Sequence, residues 1–186
     1  MRDARAAVIR LDGMRGDTVA HEKTGRDEQN HGPVLLVAYD GSPMSEAQLH
    51  LACRAANDIG GLVRVLHVAE LPRHLPLDVP LPASEQQRVD ALLDRAEQIA
   101  ARYNVPCAIG VDRARSVGEA IVANAEECDA RTIFIGLRDR HRPGTSLLLS
   151  GTLRHVLQHA PCLVQIGYLP AGLPEHLALG DEPGPA

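Results

Sequence analysis

The stretch VLLVAYDGSPMSEAQLHLACRAANDIGG, residues 34–61, decides the fold class of this chain. Its first part, VLLVAYD (34–40), is a continuous aliphatic and β-branched run, which is typical of a strand buried on both faces. Ser42 then offers a helix N-cap, with Pro43 at the first helical position. Gly60 and the glycine after it end the helix. The stretch therefore predicts a buried strand, a tight turn and a helix, in that order.

The same alternation recurs to the end of the core. Within the first helix, Leu51, Ala55 and Ile59 recur at a spacing of four, as on an apolar helix face. Further strands are predicted at 62–70, 107–114, 132–137 and 162–169, and further helices at 84–103, 116–130 and 146–159. Each crossover must return over a face of the sheet to place the next strand parallel. The fold class is therefore α/β, a five-stranded parallel doubly wound sheet with helices on both faces.

The chain divides into a core and two tails. Residues 1–32 carry many charges and glycines with little periodicity, which predicts an extension that is mostly unpacked, with one short strand within 6–11. Residues 33–169 form the α/β domain. Residues 170–186 are rich in proline and glycine and are expected to be a disordered tail.

Composition excludes several classes of function. The formal net charge is −5, which gives no basic footprint, so nucleic acid is not expected as a partner. No run of 18 apolar residues occurs, and the start of the chain lacks the apolar segment of a secretory signal. We therefore expect no membrane association and a cytoplasmic location.

The four cysteines have no metal-type spacing, and we read them as small buried apolar residues. One tighter cluster combines His155, His159 and Cys162, in which the two histidines share a helix face. A metal site and a solvated helix face are the two readings of this cluster. Since no fourth ligand is evident, the solvated face is favoured.

Ligands of such a sheet bind outside the carboxyl ends of the strands, where the strand order reverses. The candidates are Asp40 after the first strand, Val68 near the end of the second, and the connection 136–152 after the fourth. Asp40 can accept the hydroxyls of a ribose, or it can simply cap the turn into the first helix. The connection contains a basic run, RDRHR (138–142), which can face phosphates or be a solvated loop.

Residues 33–169 resemble the universal stress protein family. The resemblance is carried by VAYDGSPMSEAQL, VLHVAE, SVGEAIVANAEECDARTIFIGL and SLLLSGTLRHVLQHAPCLVQI, which together cover nearly all of the core in order. It implies the strand order 3-2-1-4-5 and a homodimer formed through the last strand, residues 162–169. It also implies an ATP site built from the first-strand Asp, a Val after the second strand's His, and a loop of the form G-x2-G-x9-G-[ST].

Carried over position by position, the resemblance assigns the adenosine half of the site to Asp40 and Val68, with Tyr39 and Gly41 beside Asp40. Gly136 matches the first loop glycine. The end of the family loop adds Ser150, Gly151 and Thr152. Two further positions are expected around the phosphates from the residues themselves: Arg138 in the basic run, and Gly144, whose backbone N–H lies in a predicted anion site at 144–146.

The phosphate half departs from the family pattern. Asp139 stands where the second glycine belongs, and a carboxylate there repels a triphosphate by about 1–4 kcal/mol at surface-like dielectrics. Anchoring on the following helix places Ser150 and Gly151 at the final pair. A one-place shift gives Gly151 and Thr152 instead. The half-matched loop predicts a degenerate nucleotide site.

Two functions follow from these observations. The first is a non-catalytic stress-response module, homodimeric, with a degenerate site for ATP or AMP. The alternative is an ATP-binding protein that hydrolyses ATP slowly, with Mg²⁺ bound only together with ATP. No P-loop, Gly-x-Gly-x-x-Gly or Ser/His/Asp order occurs, so no catalytic residue is predicted. The last strand is an apolar edge that a second copy would cover, or that the N-terminal extension would cover instead.

Overall fold

The computed structural model describes residues 8–11, 32–74, 76, 79–138 and 150–170. The described strands are β1 (Val8–Leu11), β2 (Val34–Ala38), β3 (Leu62–Glu70), β4 (Cys107–Ala114), β5 (Ala130–Arg138) and β6 (Leu163–Leu169). The described helices are α1 (Pro43–Ile59), α2 (Ala83–Ala101), α3 (Val117–Glu127) and α4 (Gly151–His159). The alternation of strands and helices expected from residue 34 onward is therefore confirmed.

The strands form one parallel sheet in the order β1-β4-β3-β2-β5-β6. Without β1 this is the predicted five-strand order 3-2-1-4-5, which is confirmed. The chain starts in the middle of the sheet at β2 and winds outward, first to β3 and β4 and then to β5 and β6. Strand order consequently reverses at β2, between its neighbours β3 and β5.

β1 adds a sixth strand to the expected five. The short strand predicted within 6–11 is confirmed at Val8–Leu11, and it pairs in parallel with β4, from Val8 beside Cys107 to Leu11 beside Gly110. This part of the extension joins the sheet instead of staying unpacked. It lies at the opposite edge from β6, so residues 8–11 do not cover the last strand. The rest of the predicted extension up to residue 31, and the tail after residue 170, lie outside the described residues.

Helices cover both faces of the sheet, as predicted. On one face α1 and α2 pack over a buried cluster that includes Leu49, Ile99 and Ile109. On the other face α3 and α4 pack over a second cluster that includes Ile121 and Leu153. These layers are built almost entirely from aliphatic side chains, as the single Phe and absent Trp require.

The prediction that Leu51, Ala55 and Ile59 form the buried face of α1 is wrong. Leu51 is 41% exposed and Ile59 is 46% exposed, while Ala55 is only half-buried. The stripe that packs on the sheet has the spacing i, i+3, i+4, i+7, and it consists of Leu49, Ala52, Cys53 and Ala56. Two overlapping apolar stripes share this helix, and the position of the sheet selects the one with the smaller side chains.

Two opposed glycines allow α1 to approach the sheet closely. Gly136 on β5 is the register partner of Gly167 on β6. A Cβ on Gly136 would lie 2.9 Å from Met44 Cγ and 3.1 Å from the backbone of Met44 and Ser45. The first turn of α1 therefore rests directly on this glycine pair, which fixes its distance from the strand ends.

Candidate functional site

A cavity of about 220 Å³ opens at the carboxyl ends of β2, β3 and β5. This is the point where strand order reverses, the expected ligand position in a doubly wound sheet. Its apolar part is formed by Ala38, Leu66, Val68, Val117, Ile121 and Ile135. Its polar part is formed by Asp40, Ser45, His67 and Thr152, together with Tyr39 and Gly136. An apolar floor with a few convergent polar groups is the usual composition of a small-molecule site.

Asp40 places a carboxylate at the edge of this cavity. The Ser42 N–H donates to Asp40 Oδ1 at 2.9 Å, and the Asp40 N–H donates to Ser45 Oγ at 3.4 Å. Burial acts to raise the pKa of Asp40, but hydrogen bonds from Ser42 and Ser45 outweigh it and lower the pKa below its ordinary value. Asp40 is therefore both the turn residue before α1 and an anionic acceptor available to a ligand.

Three helix N-termini converge on the cavity. The first turns of α1, α3 and α4 contribute Ser45, Val117 and Thr152 to its lining. Each helix has a serine N-cap whose hydroxyl accepts the third N–H: Ser42 from Ser45 at 3.2 Å, Ser116 from Glu119 at 3.4 Å and Ser150 from Leu153 at 3.2 Å. Helix N-termini carry partial positive charge, so their convergence favours an anionic group at the cavity mouth.

The end of the β2–β3 ladder leaves backbone groups of Val68 facing the cavity. The Tyr39 N–H donates to the Leu66 carbonyl at 2.9 Å, so the backbone of Leu66 points toward β2. Backbone groups alternate along a strand, so those of Val68 point the same way. β2 ends at Ala38, the register partner of Leu66, and Val68 therefore lies beyond the end of that strand. Within the described residues this donor and this acceptor of Val68 have no partner, so both are available to a ligand.

His67 occupies the place where the ladder would continue. In a longer ladder the Tyr39 carbonyl would accept the Val68 N–H, whereas here it lies 2.9 Å from His67 Nδ1. Tyr39 thus takes part in the site through its backbone. Its side chain is buried on the α1 and α2 side of the sheet, where burial raises the pKa of its phenol.

The structure brings together five of the residues expected at the site: Tyr39, Asp40, Val68, Gly136 and Thr152. Gly41 forms the turn at φ +74°, and Ser150 caps α4. Gly151 begins that helix, and no described residue lies within 4 Å of the position that a Cβ would take there. These three residues are not among the lining residues. The sequence allowed two alignments of the final Gly-[Ser/Thr] pair of the loop. Only the shifted alignment, Gly151 and Thr152, places a hydroxyl residue at the cavity.

Two expected positions, and the side chain of a third, lie outside what the structure describes. Arg138 ends β5, but its side chain is not described. Gly144 and Asp139 fall within 139–149, outside the described residues. The roles assigned to these residues stay predictions.

Other lining residues were not predicted from the sequence. Ser45 and His67 lie inside the quoted motifs, three residues after Ser42 and directly before Val68, so their proximity to the predicted residues was a usable signal. Val117, Ile121 and Ile135 carried no such signal, because aliphatic side chains in an α/β core read as packing.

No group of three or more metal-ligating side chains occurs among the described residues. His155 and His159 instead stack on each other, with ring centroids 4.3 Å apart, and His159 Nδ1 lies 2.9 Å from the His155 carbonyl. Cys53 and Cys107 are buried, Cys128 and Cys162 are half-buried, and all four are free thiols. Within the described ranges, none of the helices has the length and apolar character needed to cross a membrane.

Comparison with known proteins gives a consistent result. The model of the universal stress protein family matches residues 34–166. No curated protein is similar enough in sequence to match. Among solved structures, a universal stress protein from Archaeoglobus fulgidus is 22% identical, with a TM-score of 0.59 over 73% of this chain and 93% of its own.

Two further solved structures contain nucleotides. The universal stress protein from Archaeoglobus fulgidus in complex with dAMP is 21% identical, with a TM-score of 0.55 over 73% of this chain and 96% of its own. A family protein from Arabidopsis thaliana with AMP bound is 13% identical, with a TM-score of 0.52 over 75% of this chain and 93% of its own. At these identities the likeness establishes the fold.

Proposed function

Since the chain belongs to the universal stress protein family, we propose that it is a non-catalytic stress-response module that binds an adenine nucleotide of the AMP type. The observation that carries the proposal is the cavity at the switch point, where the Asp40 carboxylate, the Val68 backbone groups beyond the end of β2 and three helix N-termini meet. Each of these features suits a different part of one nucleotide.

The backbone of Val68 suits the base. Adenine presents an amino donor next to a ring-nitrogen acceptor, a pattern that complements one backbone C=O and one backbone N–H. The apolar floor, including Leu66, Val117 and Ile121, provides a surface for a flat ring. Guanine presents an acceptor, O6, where adenine has its amino donor, so the same pair of backbone groups meets it less well.

Asp40 suits the ribose. Its ionised carboxylate only accepts hydrogen bonds, so it is matched by the two hydroxyl donors of the sugar and repelled by phosphate. A hydrogen bond to a charged group contributes about 1.5–3 kcal/mol, which is about 10- to 150-fold in affinity.

The size and the charge of the cavity favour its mouth as the position of the phosphate. Sites for drug-sized ligands have volumes of about 300–1,000 Å³, whereas this cavity measures about 220 Å³. A base and its sugar therefore fill it, and the phosphate meets the N-terminal turns of α1 and α4 at the rim. Relatives crystallised with AMP and with dAMP support a monophosphate as ligand.

The experiment is isothermal titration with AMP, with GMP, and with ATP plus Mg²⁺. We expect AMP to bind in the micromolar range and GMP at least about tenfold more weakly. Asp40→Asn should weaken AMP binding by about 10- to 150-fold. Asp58→Asn makes the same change of charge on an exposed side chain near the other end of α1, and it should leave AMP binding unchanged.

Each arm of this titration decides something different. Absence of AMP binding, or equal effects of the two Asn variants, would contradict the proposed site. ATP binding as tight as AMP binding would favour the ATP-binding alternative, because it would show that the loop accommodates a triphosphate despite Asp139.

We further propose that the protein forms a homodimer through β6. This strand is a sheet edge, and Leu163 on it is 69% exposed while Tyr168 is 42% exposed. An apolar edge strand with unpaired backbone groups is a template for pairing with another chain.

Sedimentation should show a dimer that Leu163→Lys dissociates. Val79→Lys is the matched control. It makes the same apolar-to-charged change at a residue whose carbonyl accepts a hydrogen bond from Arg113 on β4, and it should leave the dimer intact. A monomeric wild type would refute the dimer.

A further inference from the structure

We infer that α1 is the second element of the homodimer interface, and that the exposed apolar stripe of this helix packs on the same stripe of a second copy of the chain. The stripe consists of Leu51, Ala55 and Ile59. The inference rests on the proposed pairing through β6 and extends it to a helix surface whose two large side chains are exposed in the single chain.

β6 by itself is too small to hold two copies together. It contributes seven residues, whereas a stable protein interface uses about 20–30 residues from each partner. Elements that flank the strand must therefore take part. Of the six large apolar side chains that are exposed in the described residues, all but Val79 lie on β6, α1 or α4. The exposed apolar surface is thus concentrated around this one sheet edge.

Alternate residues of β6 face α1. Those that pack in the cluster beneath α3 and α4 are Val164 and Ile166. Those between and beside them point to the other face of the sheet: Leu163, Gln165 and Gly167. The contacts of Gly167 agree with this, because a Cβ there would lie 2.7 Å from Met44 Sδ and would also overlap the Gln48 amide. The first turns of α1 therefore rest on β6 itself.

The side of α1 that rests on Gly167 continues into the exposed stripe. Counted from Met44, positions i+4, i+7, i+11 and i+15 are Gln48 and the three stripe residues, so all of them lie along one side of the helix. Leu163 points to the same face of the sheet and is 69% exposed. The stripe and Leu163 consequently line an open apolar groove between α1 and β6.

Antiparallel pairing of two β6 strands brings two such grooves together. An antiparallel pair is related by a two-fold axis perpendicular to the sheet, so the α1 face continues from one copy to the other. Pairing along all of Leu163–Leu169 places the axis at Ile166. A helix rises about 1.5 Å per residue and a strand about 3.3 Å, so Leu51 lies about 1.4 strand residues before the level of Gly167. Leu51 is therefore level with the axis and faces its own copy.

The spacing of the two helices suits this contact. The first turn of α1 rests on both Gly136 of β5 and Gly167 of β6, so the helix lies over these two strands. Adjacent strands are about 4.8 Å apart, which puts the two α1 helices two to three spacings, or about 10–14 Å, from each other. Directly packed helices are about 8–10 Å apart. The stripe and Leu163 from each copy fill the remaining width.

The first test measures the dissociation constant of the full-length dimer by sedimentation equilibrium. Leu51→Lys places two ammonium groups against each other at the axis, and it should weaken the dimer about tenfold or more. Asn57→Lys is the matched control. Asn57 is exposed on the same helix, seven residues after His50, whose ring contacts Tyr103 on the α2 side. This variant should leave the dissociation constant unchanged.

The second test is specific for a residue that faces its own copy. Leu51→Glu should weaken the dimer as Leu51→Lys does, because like charges again meet at the axis. An equimolar mixture of the two variants should associate about tenfold more tightly than either variant alone, since each ammonium then meets a carboxylate. Absence of this rescue would overturn the contact between the two stripes.

The remaining outcomes separate this inference from the proposal on which it rests. A dimer that Leu163→Lys dissociates and Leu51→Lys leaves intact would overturn the role of α1 while pairing through β6 stands. A monomeric wild type would overturn both. If the stripe is covered by its own chain, for example by residues 171–186, Leu51→Lys would instead lower the free energy of unfolding in urea at concentrations where the protein is monomeric, and that result would also overturn the inference.

Discussion

Gly136→Ala is a direct test of how α1 is held over the sheet. Gly136 matches a family glycine that the resemblance assigns to the phosphate loop, yet in the structure it touches the first turn of α1. A Cβ there would lie 2.9 Å from Met44 Cγ, 3.1 Å from the Met44 carbonyl carbon and 3.1 Å from the Ser45 N. The Met44 side chain can move aside, but the other two atoms are backbone, so the helix itself must shift.

The expected cost follows from these contacts. Inserting a methyl group into a packed site costs about 1–3 kcal/mol. Replacing glycine stiffens the unfolded chain, which returns about 0.4–1 kcal/mol. The net loss in the free energy of unfolding is then about 1–2 kcal/mol, or a Tm lower by about 2–8 °C for a domain of this size.

The measurement is urea unfolding followed by far-UV circular dichroism, since the chain contains no Trp. The midpoint should fall with an unchanged slope. Gly151→Ala is the matched control, because no atom of the described residues lies within 4 Å of its Cβ position at the start of α4. That variant should be neutral or slightly stabilised. Equal stability of Gly136→Ala and wild type, or an equal loss in both variants, would refute the close-packing explanation.

Three further predictions concern the site and the sheet edges. The lowered pKa of Asp40 means that this group stabilises the fold above its ordinary pKa of about 3.9, and that the contribution is lost as pH falls through the lower folded pKa. The difference in unfolding free energy between wild type and Asp40→Asn should therefore be constant at pH values above the ordinary pKa and shrink as pH falls below it; a difference that does not change with pH would contradict the shift. Asp139→Gly, in the loop outside the described residues, should strengthen titrated ATP binding relative to AMP, whereas an unchanged ratio would remove the repulsion argument. Deleting residues 1–31 removes β1 and uncovers the paired segment of β4, so light scattering should show increased self-association; an unchanged particle size would mean that β1 does not protect this edge.

The order of strands and helices was predictable because hydrophobic periodicity and capping act locally. Ser42 caps α1 as predicted, and the runs at 34–38 and 62–70 are strands. The fourth helix was predicted to begin at residue 146, whereas Ser150 has the extended backbone of an N-cap and α4 begins at Gly151. The face of α1 was not predictable in the same way. Leu51 and Ile59 have the spacing of a buried stripe, but burial depends on which side the sheet occupies, and that is decided by contacts distant in sequence.

The residues of the site also differ in whether the sequence could predict them. Asp40 and Val68 were identified because Asp40 follows a strand and Val68 lies near the end of one, and strand ends can be read from the sequence. Val117 and Thr152 reach the cavity only because α3 and α4 both begin on the side of the sheet where β2 ends. His67 meets the Tyr39 carbonyl, 28 positions earlier in the chain, at the end of the β2–β3 ladder.

By itself, then, the sequence determined the elements, their order and the carboxylate at the end of the first core strand, since these follow from neighbouring residues. The tertiary structure decided which stripe of α1 is buried, which sheet edge β1 covers, and that Gly136 is a packing glycine. It also decided that His67 ends the β2–β3 ladder beside the cavity. These outcomes depend on distances between backbones that are far apart in the chain, and such distances are fixed only when the whole sheet has assembled.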